Sequence, residues 1–502
     1  MTTTTAAPTT APAVGGVRGL DPLDLDLLVI GGGTAGLVAA KTAARFGART
    51  LLVEAHRMGG DCLWTGCVPS KSLIAAAQAA AATRNGGAFG VSSASLDVDF
   101  GAVMRHVHAA IHEIEPVDSV EATEESGARV VLGRARFTGH RTAEITMLEG
   151  GESVAVRFRQ AVIATGSAPA VPTLDGIEAL EVLTSDSVWN LEQLPARLAV
   201  LGAGAIGSEL GQAFARLGSS VTLVQRGERI LPKEDPDASA IVTAAMQRDG
   251  VDVRVGSAAV RVHAADDGLS GTLHLADGSA IEFDRLLVAL GRRPRIDGLG
   301  LEAAGVQLDD AGFVRVDDTL RTSNRRIWAA GDVSGLPQFT HLAGVNGSLA
   351  ATNAALGLRR RVDADAVPRV TFTHPEVGAV GLAPADAERE GCTVSEVRHS
   401  HVDRAIADDE TEGFTRLVID RKGHVRGAVV VGPRAGETIG EASLAVRQGL
   451  RTSDIASTTH PYPTYSDAFW NAAIADVRAR LERGTVGTVI GLLQHWRRFS
   501  SR

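Results

Sequence analysis

One local pattern occurs twice in this chain: an apolar strand, a Gly-x-Gly-x-x-Gly turn, a helix-prone run and a second strand. The first copy starts with Leu25 to Ile30 and passes through Gly31, Gly33 and Gly36 into a helical stretch ending near Arg45. A strand from Thr50 to Val53 follows, closed by Glu54 eighteen residues after Gly36. The second copy runs from Arg197 to Val200, turns through Gly202, Gly204 and Gly207, continues as a helix to Leu217 and returns as Val221 to Val224, with Gly202 lying 171 residues after Gly31. Such glycines let a pyrophosphate reach the first turn of a helix, where backbone N–H groups and the helix dipole favour an anion. A glycine-rich turn between packed elements is the plainer reading of one copy. Two complete copies imply two bound dinucleotides.

The copies differ where a ribose would sit. Glu54 is placed to accept hydrogen bonds from an unmodified ribose, whereas the second strand ends in Gln225 with Arg226 and Arg229 just beyond. Loss of the acid removes repulsion and the arginines add attraction for a 2′-phosphate, so NADPH is favoured there and NADH is the alternative. Surface arginines without a ligand are the competing reading.

Between the copies lies Gly59-Gly60-Asp61-Cys62-Leu63-Trp64-Thr65-Gly66-Cys67-Val68-Pro69-Ser70-Lys71, which holds two of the three cysteines. Cys62 and Cys67 stand five apart at the entrance to an Ala-rich, helix-prone run, Leu73 to Thr83, so a first helical turn brings both sulfurs within bonding reach. The positive end of that helix favours thiolate over thiol, which points to a redox pair. Two buried cysteines that happen to be close are the bland alternative. Gly59, Gly60 and Gly66 permit a flat group to approach the backbone.

Composition limits what else the chain can do. With 44% apolar and 22% charged residues, its 502 residues suit about three or four globular domains. A net charge of -9 and 4% aromatics argue against a nucleic-acid surface. Three cysteines are too few for a secreted disulfide scaffold and suit a reducing, cytoplasmic compartment. Residues 1–23, rich in Thr, Ala and Pro, read as a disordered tail without a secretory signal. No stretch approaches the roughly 18 apolar residues of a membrane span. No resident metal is expected.

Further along, Asp99 to Val120 has helical periodicity and Val130 to about Gln160 reads as strands. Two apolar strands break at Gly-and-Pro segments, Thr165-Gly166-Ser167-Ala168-Pro169 and Gly291-Arg292-Arg293-Pro294, and look like crossings between domains. A strand before Gly331-Asp332 precedes a helix over Leu342 to Leu356; Asp332 either accepts from a polyol chain or caps that helix. From Val367 the pattern becomes α+β: strands at Arg369 to Thr373, Val394 to Ser400, Phe414 to Asp420 and Val425 to Val431, then helices at Glu437 to Gly449 and from Asp467. Cys392 reads as a buried structural thiol.

With these motifs in hand, the chain resembles the pyridine nucleotide-disulfide oxidoreductases over roughly residues 24–475, the mercuric reductase-like and dihydrolipoamide dehydrogenase-like branch included. The resemblance implies an α/β fold with two Rossmann-like domains and a C-terminal α+β dimerisation domain. Its expected parts are 24–168 and 295–365 for FAD, 169–294 for NAD(P), 366–475 for the dimer interface and 476–502 as an extension. It also implies a homodimer whose last domain completes the partner's active site. Gly31, Gly33, Gly36, Glu54, Gly60, Thr165, Gly166, Gly331 and Asp332 would hold FAD, with Asp332 on the ribityl chain. Gly202, Gly204, Gly207, Gln225, Arg226, Arg229 and Gly291 would hold NADPH. Cys62 would be the interchange thiol and Cys67 the charge-transfer thiol, with Lys71 near the flavin and Glu209 as its ion-pair partner. Electrons would pass from NADPH through FAD and this disulfide to an acceptor.

Two departures narrow the acceptor. Disulfide reductases of the family carry a His-Pro pair with a glutamate five residues after the histidine; aligned on Pro463-Thr464, those positions are Tyr462 and Asp467, with His460 two residues earlier. An ordinary phenol is only about 0.1% ionised at neutral pH and is no substitute for a histidine base. The expected acceptor is therefore a metal ion or quinone, with a low-molecular-weight disulfide served by His460, or a redox sensor without turnover, as alternatives. Mercuric reductases carry a second vicinal cysteine pair at the C-terminus, and no cysteine follows Cys392 here. The last stretch, 477–502, carries six arginines around an apolar run. It reads either as a helix packed on the dimer or as an amphipathic membrane-surface anchor.

Overall fold

The computed structural model describes residues 25–92, 95–482 and 485–500, so the expected tail over 1–23 lies outside the described residues. The chain divides into two compact units. One comprises Met1–Gly60, Pro116–Ser167 and Pro294–Val362; the other comprises Asp61–Glu115, Ala168–Arg293 and Asp363–Arg502. Boundaries at Ser167/Ala168 and Arg293/Pro294 fall inside the two Gly-and-Pro segments. Asp61–Glu115, expected with the first dinucleotide-binding part, groups instead with the second unit.

The first unit is built on a parallel sheet in the order Arg129–Gly139, Thr50–Glu54, Leu25–Ile30, Ser153–Ile163 and Ile327–Ala329. Leu28 and Val29 are fully buried, as strands covered on both faces must be. Strand Thr142–Met147 pairs antiparallel with both of its long neighbours and turns their outer ends into a meander. Helices Thr34–Arg45 and Thr340–Leu356 pack together, closely enough that a Cβ at Gly347 would lie 2.2 Å from the Ala35 carbonyl oxygen. Only glycine fits there.

The second unit repeats the design with strands Arg285–Val288, Arg197–Leu201, Ser220–Gln225 and Asp252–Val255 in parallel order, beside a three-stranded meander spanning Ala259–Phe283. Its last portion is a five-stranded antiparallel sheet with helices Ala435–Gln448 and Asp467–Glu482 against it. One core joins Leu63, Leu73, Phe100 and Phe214 to Val377, Phe414 and Val431.

Two local readings are corrected. The helix expected over Asp99 to Val120 is Phe100–Ile114, capped by Asp99, whose Oδ1 accepts from the Ala102 N–H at 2.9 Å. Pro116 follows, and its ring does not continue a helix. A strand over Glu376–Gly381, unsuspected among its glycines, lies between Arg369–Thr371 and Val425–Gly432. Gly378 serves there because a Cβ would meet the Ala435 carbonyl oxygen at 2.9 Å.

Candidate active site

In the first unit the glycine turn is shaped for a flat approach. Gly31 has φ +107°, and a Cβ on it would stand 2.3 Å from the Ala164 carbonyl oxygen. At Gly36 a Cβ would lie 1.8 Å from the Gly31 carbonyl oxygen, which draws the helix onto its strand. Gly33 caps the helix without any side-chain hydrogen bond, leaving its first-turn donors for a phosphate. Gly60 has φ +60° and stands against Gly33, where a Cβ would meet its Cα at 2.6 Å. The Glu54 carboxylate accepts from the Gly32 N–H at 2.6 Å and the His56 N–H at 2.7 Å, so it is fixed beside the turn. Thr165 Oγ1 is buried with no hydrogen-bond partner among the described residues. Asp332 does not cap the following helix, whose N-cap is Phe339; it lies in its own short turn after Gly331 and accepts from Ser167 Oγ at 2.6 Å. A close-approach turn, uncapped helix donors and an orphaned hydroxyl fit a bound dinucleotide.

The second unit carries the same frame. Gly202 has φ +105°, and a Cβ on Gly207 would lie 1.9 Å from the Gly202 carbonyl oxygen. Gly204 caps the helix without a side-chain bond, and space around it is open. Gln225 Oε1 accepts from the Ala203 N–H at 3.3 Å. Arg226 is exposed, while Arg229 donates to the Pro232 carbonyl at 2.9 Å and is half-buried. Gly291 has φ +130° with open space around it.

The two cysteines are not on one helix. Cys62 belongs to a short turn of helix, Gly60–Trp64, and Cys67 opens the next helix, Cys67–Asn85, after Gly66. Gly66 separates the two with a non-helical backbone, φ −118° and ψ −107°, and glycine is required there because a Cβ would meet the Asp61 carbonyl oxygen at 2.8 Å. Cys67 is exposed and sits in the first turn, where the helix dipole favours thiolate. The intervening turn is pinned by residues that sequence reading did not single out. Arg292 forms an ion pair with Asp61, and Trp189 Nε1 donates to the Thr65 carbonyl at 2.9 Å. Cys392 is half-buried and not fully buried as expected; burial pushes its thiol pKa up.

Lys71 and Glu209 come together at 2.9 Å. The Glu209 side chain is 8% exposed, and its other oxygen accepts from the Phe372 N–H at 2.9 Å. Lys71 Nζ also stands 4.2 Å from the centre of the Phe372 ring, so the pair is held from both sides.

Tyr462 and Asp467 are not hydrogen-bonded to each other. The Tyr462 hydroxyl donates to Asp403 Oδ2 at 2.5 Å, and that bond raises the phenol pKa above its ordinary value. Asp467 is buried; one oxygen accepts from the Thr464 N–H at 3.2 Å and the other has no partner among the described residues. His460 faces the Glu441 carboxylate at 2.7 Å and the Thr458 carbonyl at 2.9 Å, and its ring stacks on Trp470. Both ring nitrogens are thus committed to acceptors. Asp403, Glu441 and Phe372 gave no local signal, since each meets its partner through the fold. Arg292 had one: its place in the Gly-Arg-Arg-Pro segment.

The sequence profile for pyridine nucleotide-disulphide oxidoreductases matches residues 25–347, and that for the family's dimerisation domain matches 367–473. The chain is 37% identical over 450 residues to mercuric reductase of Bacillus cereus, covering 88% of this chain and 70% of that one. It is 38% identical over 460 residues to dihydrolipoyl dehydrogenase of Haloferax volcanii, covering 89% and 95%. A Cu(II) complex of the HOCl-induced flavoprotein disulfide reductase RclA from Escherichia coli superposes with a TM-score of 0.79 at 26% identity, covering 90% of this chain and 99% of that one. The chain therefore belongs to the pyridine nucleotide-disulphide oxidoreductase family and is an oxidoreductase that uses FAD with NAD(P)H as electron donor.

Proposed function

We propose that this protein passes electrons from NADPH, by way of FAD and a disulfide between Cys62 and Cys67, to a metal ion or a quinone. One observation carries the reading: the position where a disulfide reductase needs a base holds a phenol bonded to Asp403 at 2.5 Å. A carboxylate that accepts from the phenol stabilises its protonated form, so Tyr462 serves as a donor and not as a proton acceptor. General acid–base help is worth roughly 10² to 10⁴ in rate, which a disulfide substrate would forgo here. A soft metal ion needs thiolates to bind it and two electrons, with no proton to move.

The remaining residues take supporting roles. Gly31, Gly33, Gly36 and Gly60 make room for the FAD pyrophosphate, and Glu54 and Asp332 orient its ribose and ribityl hydroxyls, with Thr165, Gly166 and Gly331 beside them. Gly202, Gly204, Gly207 and Gly291 do the same for the nicotinamide nucleotide, with Gln225, Arg226 and Arg229 at the 2′-phosphate. When bound, FAD supplies the two-electron carrier that no side chain provides. The Lys71–Glu209 pair fixes a cation on the cysteine helix, and Cys67 at its first turn is held toward thiolate while Cys62 meets the acceptor. In the family's homodimer, the segment 460–467 would act in the partner's site.

A second reading, a low-molecular-weight disulfide as acceptor, rests on the His460–Glu441 pair at 2.7 Å. Its ring is only 6% exposed, which leaves little path for a substrate proton. NADPH consumption with mercuric ion, cupric ion, quinones, lipoamide and glutathione disulfide, for wild type and Cys62→Ser, decides between them. The expected result is turnover with metal ion or quinone, and disulfide reduction that rises about a hundredfold in Tyr462→His. Fast disulfide turnover that Tyr462→His leaves flat would favour His460, and silence with every acceptor would favour a sensor.

The phenol bond has its own pH signature. Tyr462 and Tyr465 are the chain's two tyrosines, and both are held above the ordinary phenol range, by Asp403 and by burial respectively. A proton favoured in the folded state gives stability that is complete below the unfolded pKa near 10 and is lost as pH rises through the folded value. The tyrosinate band should stay silent until pH passes about 10, and Asp403→Asn should bring half of it down.

A further inference from the structure

Helix Thr485–Ser500 leaves an apolar face in the open. Val489, Leu492, Leu493, Trp496 and Phe499 are 51%, 64%, 57%, 68% and 69% exposed. At about 100° per residue these five share roughly one third of the helix circumference, with Gln494 and Arg498 opposite and Arg497 at the flank. The segment is also set apart by charge. Residues 483–502 contain four arginines and no acid, in a chain whose net charge is -9. Among the described residues no helix is long and apolar enough to cross a membrane. The match to the dimerisation domain stops at residue 473, before this helix begins.

We infer that this helix docks the enzyme on an anionic lipid surface, lying in the interface with Leu492, Leu493, Trp496 and Phe499 in the acyl boundary and its arginines among the headgroups. An apolar stripe with a tryptophan, on a terminal segment whose charged side chains are all arginines, with Arg497 at the flank of the stripe and Arg498 behind it, matches such a surface in both polarity and sign. Docking would place the reductase beside membrane-dissolved acceptors, so this inference extends the quinone arm of the proposed function. It does not depend on that arm, since binding is read without turnover.

The FAD-loaded full chain, a chain stopped after Glu482, Arg497→Glu/Arg498→Glu and Leu492→Gln/Leu493→Gln are sedimented with vesicles of phosphatidylglycerol and phosphatidylcholine, or of phosphatidylcholine alone. Flavin content and NADPH-driven dye reduction, expected unchanged, certify each variant. The full chain should bind anionic vesicles at least tenfold more than neutral ones. The stopped chain should lose that binding, reversal of both arginines should weaken it by about 25-fold or more at low salt, and the leucine pair should weaken it severalfold. Quenching of Trp496 by brominated lipid should vanish in Trp496→Phe. Equal sedimentation of full and stopped chains overturns the inference. So does absence of vesicle binding together with a smaller solution assembly for the stopped chain, which would assign the face to a second copy.

Discussion

The two glycine turns share a backbone and part company at one side chain. Gly31 and Gly202 hold φ at +107° and +105°, and the clearances that exclude a Cβ at Gly36 and Gly207 are 1.8 and 1.9 Å. Yet a carboxylate grips the first turn at 2.6 Å, while an amide holds the second at 3.3 Å. In the proposed reading, backbone shape, set by where a Cβ is impossible, admits a dinucleotide, and charge at the strand's end selects its ribose.

The largest effect should come from breaking the shared frame. Gly207→Ala should abolish NADPH reduction of the flavin while flavin content stays normal, and Gly36→Ala should yield colourless protein; absorbance at the flavin band and stopped-flow reduction separate the two. A Gly207→Ala protein that still reduces its flavin with NADPH would mean the second turn is not a nucleotide site. Next comes the side chain that distinguishes them. A hydrogen bond to a charged group is worth about 1.5–3 kcal/mol, so Gln225→Glu should move the NADPH/NADH ratio of kcat/KM by about tenfold to a hundredfold toward NADH. An unchanged ratio would leave Arg226 and Arg229 as ordinary surface charge. The smallest effect belongs to the first site: Thr165→Val, which removes the buried unpaired hydroxyl, should weaken FAD retention only about three- to tenfold, by equilibrium dialysis.

What the sequence discloses about this molecule is whatever a few neighbouring residues dictate. Both turns and the strands around them carry a local signal, the Gly36–Gly31 and Gly207–Gly202 approaches, although Gly31 and Gly202 also answer to Ala164 and Ala289 across the fold. The split between Cys62 and Cys67 escapes a reading in which the helix-prone run begins at Leu73 and Gly66 serves only to admit a flat group; Gly66 in fact separates two helices. Strand Glu376–Gly381 carries a weak strand signal because Gly378 and Gly381 interrupt its apolar residues; the helix above it accounts for Gly378 and the neighbouring strand at Arg426 for Gly381. Side-chain pairs set by topology were beyond reach: Tyr462 finds Asp403 fifty-nine positions away, and Asp61 finds Arg292 at 231. The chemistry of the acceptor site turns on such pairs, which is why the fold was legible earlier than the substrate.

One buried indole has a use of its own. Trp189 is 4% exposed, and its N–H is shared between the Ser185 carbonyl at 2.7 Å and the carbonyl of Thr65, a residue of the turn that separates Cys62 from Cys67, at 2.9 Å. Any strain that closing or opening a bridge puts on that turn is felt at the hydrogen bond. With the proposed Cys62–Cys67 bridge spanning that turn, the emission colour and lifetime of this indole would follow thiol oxidation without an added dye.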